Sequence, residues 1–344
     1  MELVSPVSFL AALATPLSSA PLKWRWPTLL SLAHHQFNWS NLSVTTRLHP
    51  LAAVSSAFAA LTPARRVLAL LFVAHYLNRS VVSSLRNPNR ARMHVVVPLS
   101  AALFNFLNGG LQAYAIAGGL TTPARGATAW NGGWAKPWAA QGWAATWGVQ
   151  PGLLSAALFW GGLALFLAGL AGNIASDETL YAIKRSKLRR HTAQTQVRTL
   201  VDSETAVPKA RRYSIPHGLL YDHPFGGVSQ PSYLAEWVEW LGFCLVHAAL
   251  VPGTFPLGPP EQAGRSPLRA LLKPRREGVA AMVRRVPAAL RPFTQWWAQP
   301  PVLFLINEVA VMLPRAARTQ RWYKDTFPGA EFPEGRKAVI PGVY

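Results

Sequence analysis

Charge is the scarcest ingredient of this chain. Only 14% of its 344 residues are Asp, Glu, Lys or Arg, and 50% are apolar, against roughly 25% charged in an ordinary soluble domain. That composition argues against a cytosolic enzyme and for a small polytopic membrane protein. Acids are scarcer still, 14 against 34 Lys and Arg. The basic excess would point to nucleic acid if it lay on one soluble face. Instead it sits in stretches that separate apolar runs, so loops at a membrane are the better reading and no nucleic-acid partner is expected. The single cysteine, Cys244, excludes an intramolecular disulfide framework and a cysteine-based zinc site. Also missing are a Gly-x-Gly-x-x-Gly turn, a P-loop, a His-Glu-x-x-His helix and a serine nucleophile elbow, which removes most support for Rossmann, hydrolase and metalloenzyme readings. His34 and His35 are adjacent, so they face apart on a helix, and no metal is expected.

Long uncharged runs are what the chain has instead. Gly152 to Ala175 contains no charge, and at about 1.5 Å per residue it exceeds a hydrocarbon core of roughly 30 Å. Met93 to Ala124 is also uncharged but carries Pro98, Asn105, Asn108, Gly109 and Gly110. A polar, small-residue face of that kind looks inward. Leu3 to Leu22, Val67 to Leu85, Leu234 to Val251 and the short Pro301 to Leu313 bring the count to six predicted spans. The expected architecture is an all-α, polytopic transmembrane helix bundle. It forms one membrane domain over 1–344 with loop insertions at about 23–62, 121–151, 186–212 and 252–300. Lys and Arg divide almost evenly between the two sides, so the positive-inside rule does not orient the chain. Sequons at Asn38 and Asn41 suit a lumenal first loop.

Ionisable side chains inside spans cost several kcal/mol unless they are paired or line a cavity, so each is a functional candidate. The candidates are His75, Tyr76, Arg79, Glu236 and Glu239. Glu236 and Glu239 are three residues apart and share a helical face that Trp240 adjoins. The plainer alternative places both carboxylates near a helix end, against loop arginines. For Tyr76 the plainer alternative is an interfacial tyrosine.

Seven segments, in order, resemble the steroid 5-alpha-reductase family. They are His75-Tyr76-Leu77-Asn78-Arg79, Asn108-Gly109-Gly110-Leu111-Gln112, Asn173-Ile174-Ala175-Ser176-Asp177, Tyr213-Ser214-Ile215-Pro216-His217-Gly218, Glu236-Trp237-Val238-Glu239-Trp240, Arg321-Trp322-Tyr323-Lys324 and Arg336-Lys337-Ala338-Val339-Ile340-Pro341. The resemblance implies a seven-helix, multi-pass endoplasmic-reticulum membrane fold that reduces the carbon–carbon double bond of an enone lipid with NADPH. Met1-Glu2-Leu3-Val4-Ser5-Pro6 looks like the family's second helix. On that matching Glu2 is a catalytic carboxylate, the family's first helix has no counterpart here, and a sequence begun at an internal methionine is expected, loss of a helix being the alternative. The alternative is an ordinary N-terminal glutamate in water.

The resemblance also implies the roles of individual residues. Tyr76 and Glu2 meet the oxygen on which charge develops, and Asn108, Gln112 and Arg79 belong to the substrate side. Asn173, Asp177, Lys184, Tyr213, Glu236, Glu239, Arg315 and Tyr323 belong to the cofactor. Lys184 and Arg185 are cations suited to phosphates, a solvated basic face being the alternative. Ser214, Ser232, Thr319, Gln320 and Gly342 depart from the family's pattern at matched positions, and the first four remove polar contacts. A 3-oxo-delta-4 steroid or related lipid is the expected substrate. A polyprenol or enoyl-thioester reductase of the same fold stays open beside it, as does a non-catalytic membrane scaffold. Membrane lipid is the other expected partner.

Overall fold

The computed structural model describes residues 2–14, 48–88, 94–117, 146–150, 152–200, 214–218, 220–222, 227–250, 299–327, 332–333 and 335–343, with side chains of 190–200 excepted. Asn38, Asn41, Tyr213 and the greater part of the expected loop insertions lie outside these residues. Among the described residues every extended element is helical, and there is no β-strand. The helices are α1 (Val4–Ala14), α2 (Pro50–Ala60), α3 (Pro63–Arg86), α4 (Val96–Ala117), α5 (Leu153–Leu200), α6 (Pro231–Leu250) and α7 (Pro300–Thr326). Within α3 the turn Asn78–Val82 is π-helical. Helix α2 falls in the segment 23–62, and α5 runs on into the segment 186–212.

Three helical stretches are long and apolar enough to cross a membrane: Pro63–Arg86, Leu153–Arg189 and Pro300–Thr326. The sequence leads one to expect six. Helix α1 is described for 11 residues only. Helices α4 and α6, of 22 and 20 residues, have the length, but Asn105, Asn108 and Gln112 in one and Glu236, Glu239 and His247 in the other lower their hydropathy. Leu99 and Leu103 on α4 and Leu153 and Leu167 on α5 are exposed, which suits a lipid-facing surface better than water.

The final span is longer than the apolar run Pro301–Leu313 implies. Helix α7 passes through Pro314 and continues for another twelve residues to Thr326. An interior proline removes one backbone hydrogen bond and costs about 3 kcal/mol, yet here it does not stop the helix. The buried residues Ala316, Gln320 and Tyr323 recur at three- and four-residue spacing beyond it. Their packing holds the extension.

The described residues fall into two compact units. The first draws on Met1–Leu77, His94–Phe166 and Trp240–Ile306, the second on Asn78–Met93, Leu167–Glu239 and Asn307–Tyr344. In the first unit, α1 lies on α4 at backbone distance. A Cβ added at Gly109 would run into the Ser5 carbonyl oxygen, and it would lie 3.0 Å from the Phe9 nitrogen. Ser8 Oγ donates to the Phe106 carbonyl across the same contact. Helices α5 and α6 meet there in the same manner, since a Cβ at Gly162 would stand 2.8 Å from the Gly242 carbonyl oxygen. Apolar packing between helices gains little in lipid, so close approach through small residues supplies the dispersion contacts instead. Phe9, Phe72, Trp240 and Phe243 fill the remaining core, all fully buried; Phe9 stacks on Phe72 at 4.6 Å between centroids.

The second unit uses the same device once more, with Gly169 of α5 against the backbone of Ala235 and Glu239 in α6. Its tail is tied down by backbone pairing. Ser229 N–H donates to the Lys337 carbonyl at 2.8 Å, Gln230 N–H to the Ala338 carbonyl at 3.0 Å, and Lys337 N–H to the Gly227 carbonyl at 2.8 Å. This forms the isolated parallel bridge Val228–Lys337.

Gly109→Val should separate α1 from α4 and cost about 1 to 3 kcal/mol, the usual range for overpacking. Thermal unfolding in detergent is the measurement, and Gly161→Ala, where an added Cβ meets nothing within 4 Å, should leave the midpoint unchanged.

Candidate functional site

Two polar clusters form inside apolar surroundings, one in each unit. In the first unit Tyr76, on α3, is 4% exposed. Its hydroxyl oxygen accepts a hydrogen bond from Asn108 Nδ2 of α4 at 2.8 Å. Asn108 Oδ1 accepts in turn from Gln112 Nε2, one helical turn on, at 3.2 Å. The i, i+4 spacing of Asn108 and Gln112 is what lets the two amides meet on one face of α4. All three residues are buried, and in hydrocarbon an unbonded hydroxyl or amide would cost a few kcal/mol. His75 packs edge-on against Tyr76 at 5.0 Å and against Trp240 at 4.8 Å, and Phe72 covers the tyrosine ring at 4.8 Å. Glu2 occupies the half-buried turn that opens α1, the helix packed on α4 at Gly109.

The second cluster gathers around a guanidinium. Arg79, in the π-helical turn of α3, lies 3.6 Å from Asp177 of α5 and 3.7 Å from Glu236 of α6. Asn173 Nδ2, one turn before Asp177, donates to the same Glu236 Oε2 at 3.3 Å. Tyr181, one turn after it, donates to Asp177 Oδ2 at 3.3 Å and also bonds Ser83 Oγ. Residues 173, 177 and 181 therefore form one polar stripe along α5. The sequence assigns Arg79 to the substrate side, while the structure brings it to Asp177 and Glu236. Glu236 meets an arginine from a helix rather than from a loop, and Glu239 is wholly buried on α6.

The remaining candidates are arranged as follows. Lys184 is exposed; its ammonium donates to Asn87 Oδ1 at 3.1 Å and stands 5.8 Å from the Tyr181 ring centroid. Arg185 and Arg86 both pair with Glu178. Arg315 is exposed on α7. Tyr323 is buried in an aromatic cluster, stacked on Phe332 at 5.7 Å. Tyr213 lies outside the described residues.

Arg336 is a hub that the choice of candidates passes over, although the resemblance quotes it in a motif. Its side chain is 1% exposed. It donates to the Pro216 carbonyl at 3.0 Å and pairs with Asp222, while its own carbonyl accepts from Gln320 Nε2 at 2.6 Å. Gln320 Oε1 accepts from Ser229. Gln320, a departure from the family's pattern, thus works as a structural tie. Asp222 also accepts the Gly218 N–H at 2.9 Å and faces His217 Nδ1 at 3.2 Å. Burial pushes the Asp222 carboxyl up, but the Gly218 N–H, the Arg336 guanidinium and His217 outweigh it and hold the group below its ordinary value.

Ionisable groups converging from several apolar helices, with Glu236 and Glu239 buried among them, mark a membrane protein and make these groups candidates for function. The segment 293–344 matches the 3-oxo-5-alpha-steroid 4-dehydrogenase family. The chain is 22% identical to the steroid 5-alpha-reductase DET2 of Solanum lycopersicum, over 79% of this chain and 67% of that protein. It has the same identity to the DET2 of Gossypium hirsutum, over 79% and 68%. An uncharacterized protein of Schizosaccharomyces pombe is 28% identical over 80% of this chain and 67% of its own length. The chain is thus similar to steroid 5-alpha-reductases along most of its length, and its last 52 residues match the family's model.

The depressed Asp222 pKa makes part of the stability acid-sensitive. A carboxyl whose folded-state pKa lies below its unfolded one stabilises fully above the unfolded value, about 3.9 for aspartate, and that contribution is lost as pH falls through the folded value. Asp222→Asn should lower the unfolding temperature at neutral pH and remove the part of the acid loss that lies below about pH 4. Thermal scans across pH on both proteins check this.

Proposed function

We propose that the chain reduces the carbon–carbon double bond of an enone lipid with NADPH, the substrate being a 3-oxo-delta-4 steroid or a related apolar lipid, in the endoplasmic-reticulum membrane. Similarity to the steroid 5-alpha-reductases supports enone reduction in general. The observation that carries the finer reading is the buried hydrogen bond from Asn108 to the Tyr76 oxygen.

Reduction at the beta carbon of an enone builds negative charge on the carbonyl oxygen, and a preorganised donor at that oxygen lowers the barrier. The first-unit cluster has the polarity for this. Gln112 donates to Asn108 and Asn108 donates to Tyr76. A phenol oxygen that accepts from an amide has its proton to give, and successive bonds of the same sense strengthen one another. The direction of donation runs through Tyr76 to the substrate oxygen. Glu2, at the head of the helix packed on α4, is the matched carboxylate that orients the phenol or the substrate. Phe72, His75 and Trp240 keep water from the hydroxyl.

The donor set of the second unit fits a nicotinamide dinucleotide. A carboxamide both donates and accepts, and Asn173, Asp177 and Glu236 offer both functions with Arg79 balancing the carboxylates. Lys184 and Arg315 are exposed cations suited to phosphates. When bound, NADPH supplies the hydride.

Tyr76→Phe should reduce turnover about 10²- to 10³-fold, the usual effect of removing one oxyanion donor, with NADPH affinity nearly intact. Enone reduction by purified protein is the assay, and undiminished turnover would refute the role. Arg315→Glu should weaken NADPH binding in an equilibrium titration, and wild-type protein should prefer NADPH to NADH. Equal use of both cofactors would count against the cationic assignment.

A further inference from the structure

A cavity of about 380 Å³ lies between the last turns of α7 and the tail, lined by Ala317, Gln320, Arg321, Lys324, Arg336, Lys337, Ala338 and Val343. Four of the eight are cationic and none is acidic. Asp222 neutralises Arg336 from outside the lining. Arg321, Lys324 and Lys337 form no salt bridge among the described residues, and the first two are exposed. The wall is built and held in shape: Gln320 ties α7 to the Arg336 carbonyl, and the Val228–Lys337 bridge fixes the tail. Three cations are therefore held around a space many times the roughly 30 Å³ of one water.

Position along α7 says what reaches this space. The helix begins at Pro300 within a membrane-crossing stretch, and at about 1.5 Å per residue Arg321 stands roughly 30 Å from that end, one hydrocarbon thickness away. Lys324 follows a turn later. Trp322 is 38% exposed beside them, and the tail next to the cavity presents Ile340 and Val343 at 37% and 74% exposure. A tryptophan flanked by basic residues at that depth marks the headgroup layer, and juxtamembrane basic clusters attract anionic lipid.

We propose that this groove binds the phosphate of an anionic phospholipid headgroup, with Arg321, Lys324 and Lys337 meeting its oxygens and Ile340 and Val343 lying against its acyl boundary. The site is separate from the catalytic assignments and does not depend on them.

The test uses the full chain in micelles holding phosphatidylserine and phosphatidylcholine in equal amounts, with bound lipid read by native mass spectrometry. Wild-type protein should retain phosphatidylserine in preference, and Arg321→Gln with Lys324→Gln should lower that preference about tenfold or more. Arg318→Gln, an exposed cation of the same helix outside the groove, should leave it unchanged, and inorganic phosphate should not displace the lipid. The proposal is overturned if the double variant keeps the wild-type preference, if Arg318→Gln abolishes it equally, or if inorganic phosphate competes as well as the lipid.

Discussion

Arg79 held against two carboxylates is the contact on which the second unit depends. Charges taken out of water carry a penalty of several kcal/mol each, which mutual attraction repays only when geometry and further hydrogen bonds are good. Here the guanidinium comes from α3, one carboxylate from α5 and the other from α6. Asn173 and Tyr181 each supply a further hydrogen bond to those carboxylates. Three helices are tied by a single ionic knot, and removing any member strands the others. That dependence specifies which face of each helix turns inward more sharply than apolar contacts can, because lipid is as apolar as leucine.

Much of this was open to inspection in the primary structure, for identifiable reasons. Charge-free runs betray spans because hydrocarbon tolerates little else. The Asn108, Gln112 and Tyr76 positions stand out as polar residues in such runs, and the ordered motifs attach them to a family. Their pairing is another matter, since Tyr76 and Asn108 are 32 residues apart and no local rule brings them together. Arg79 shows the limit well. Its neighbour in sequence is the Tyr76 motif, yet its partners are Asp177 and Glu236, a choice made by helix packing.

Other features were concealed because local signals misdirect. Pro314 reads as the end of a helix that continues to Thr326, and the basic stretch after Asp177 reads as a loop although α5 extends through it. Beyond Pro314 the burial of Ala316, Gln320 and Tyr323 outweighs the cost of the proline, and beyond Asp177 a helix already begun extends at little cost. Arg336 opens a quoted motif without an assigned role, and its side chain is buried among Pro216, Asp222 and the aromatic ring of Phe332. Glycine counts alone do not announce Gly109, Gly162 and Gly169 as points where helix backbones touch.

The π-helical turn Asn78–Val82 acts as a phase shifter. A π turn holds one residue more than an α turn, so everything after it is rotated by about 100° relative to an unbroken helix. Ser83 and Arg86 thereby come round to Tyr181 and Glu178 of α5. Within the second unit, that setting is what lets the end of α3 share α5 with the arginine cluster. Length is therefore coded as strictly as identity in this stretch. Losing Val81 or Val82 would restore an even α-helix and turn Ser83 and Arg86 away from Tyr181 and Glu178, although neither valine supplies one of those contacts.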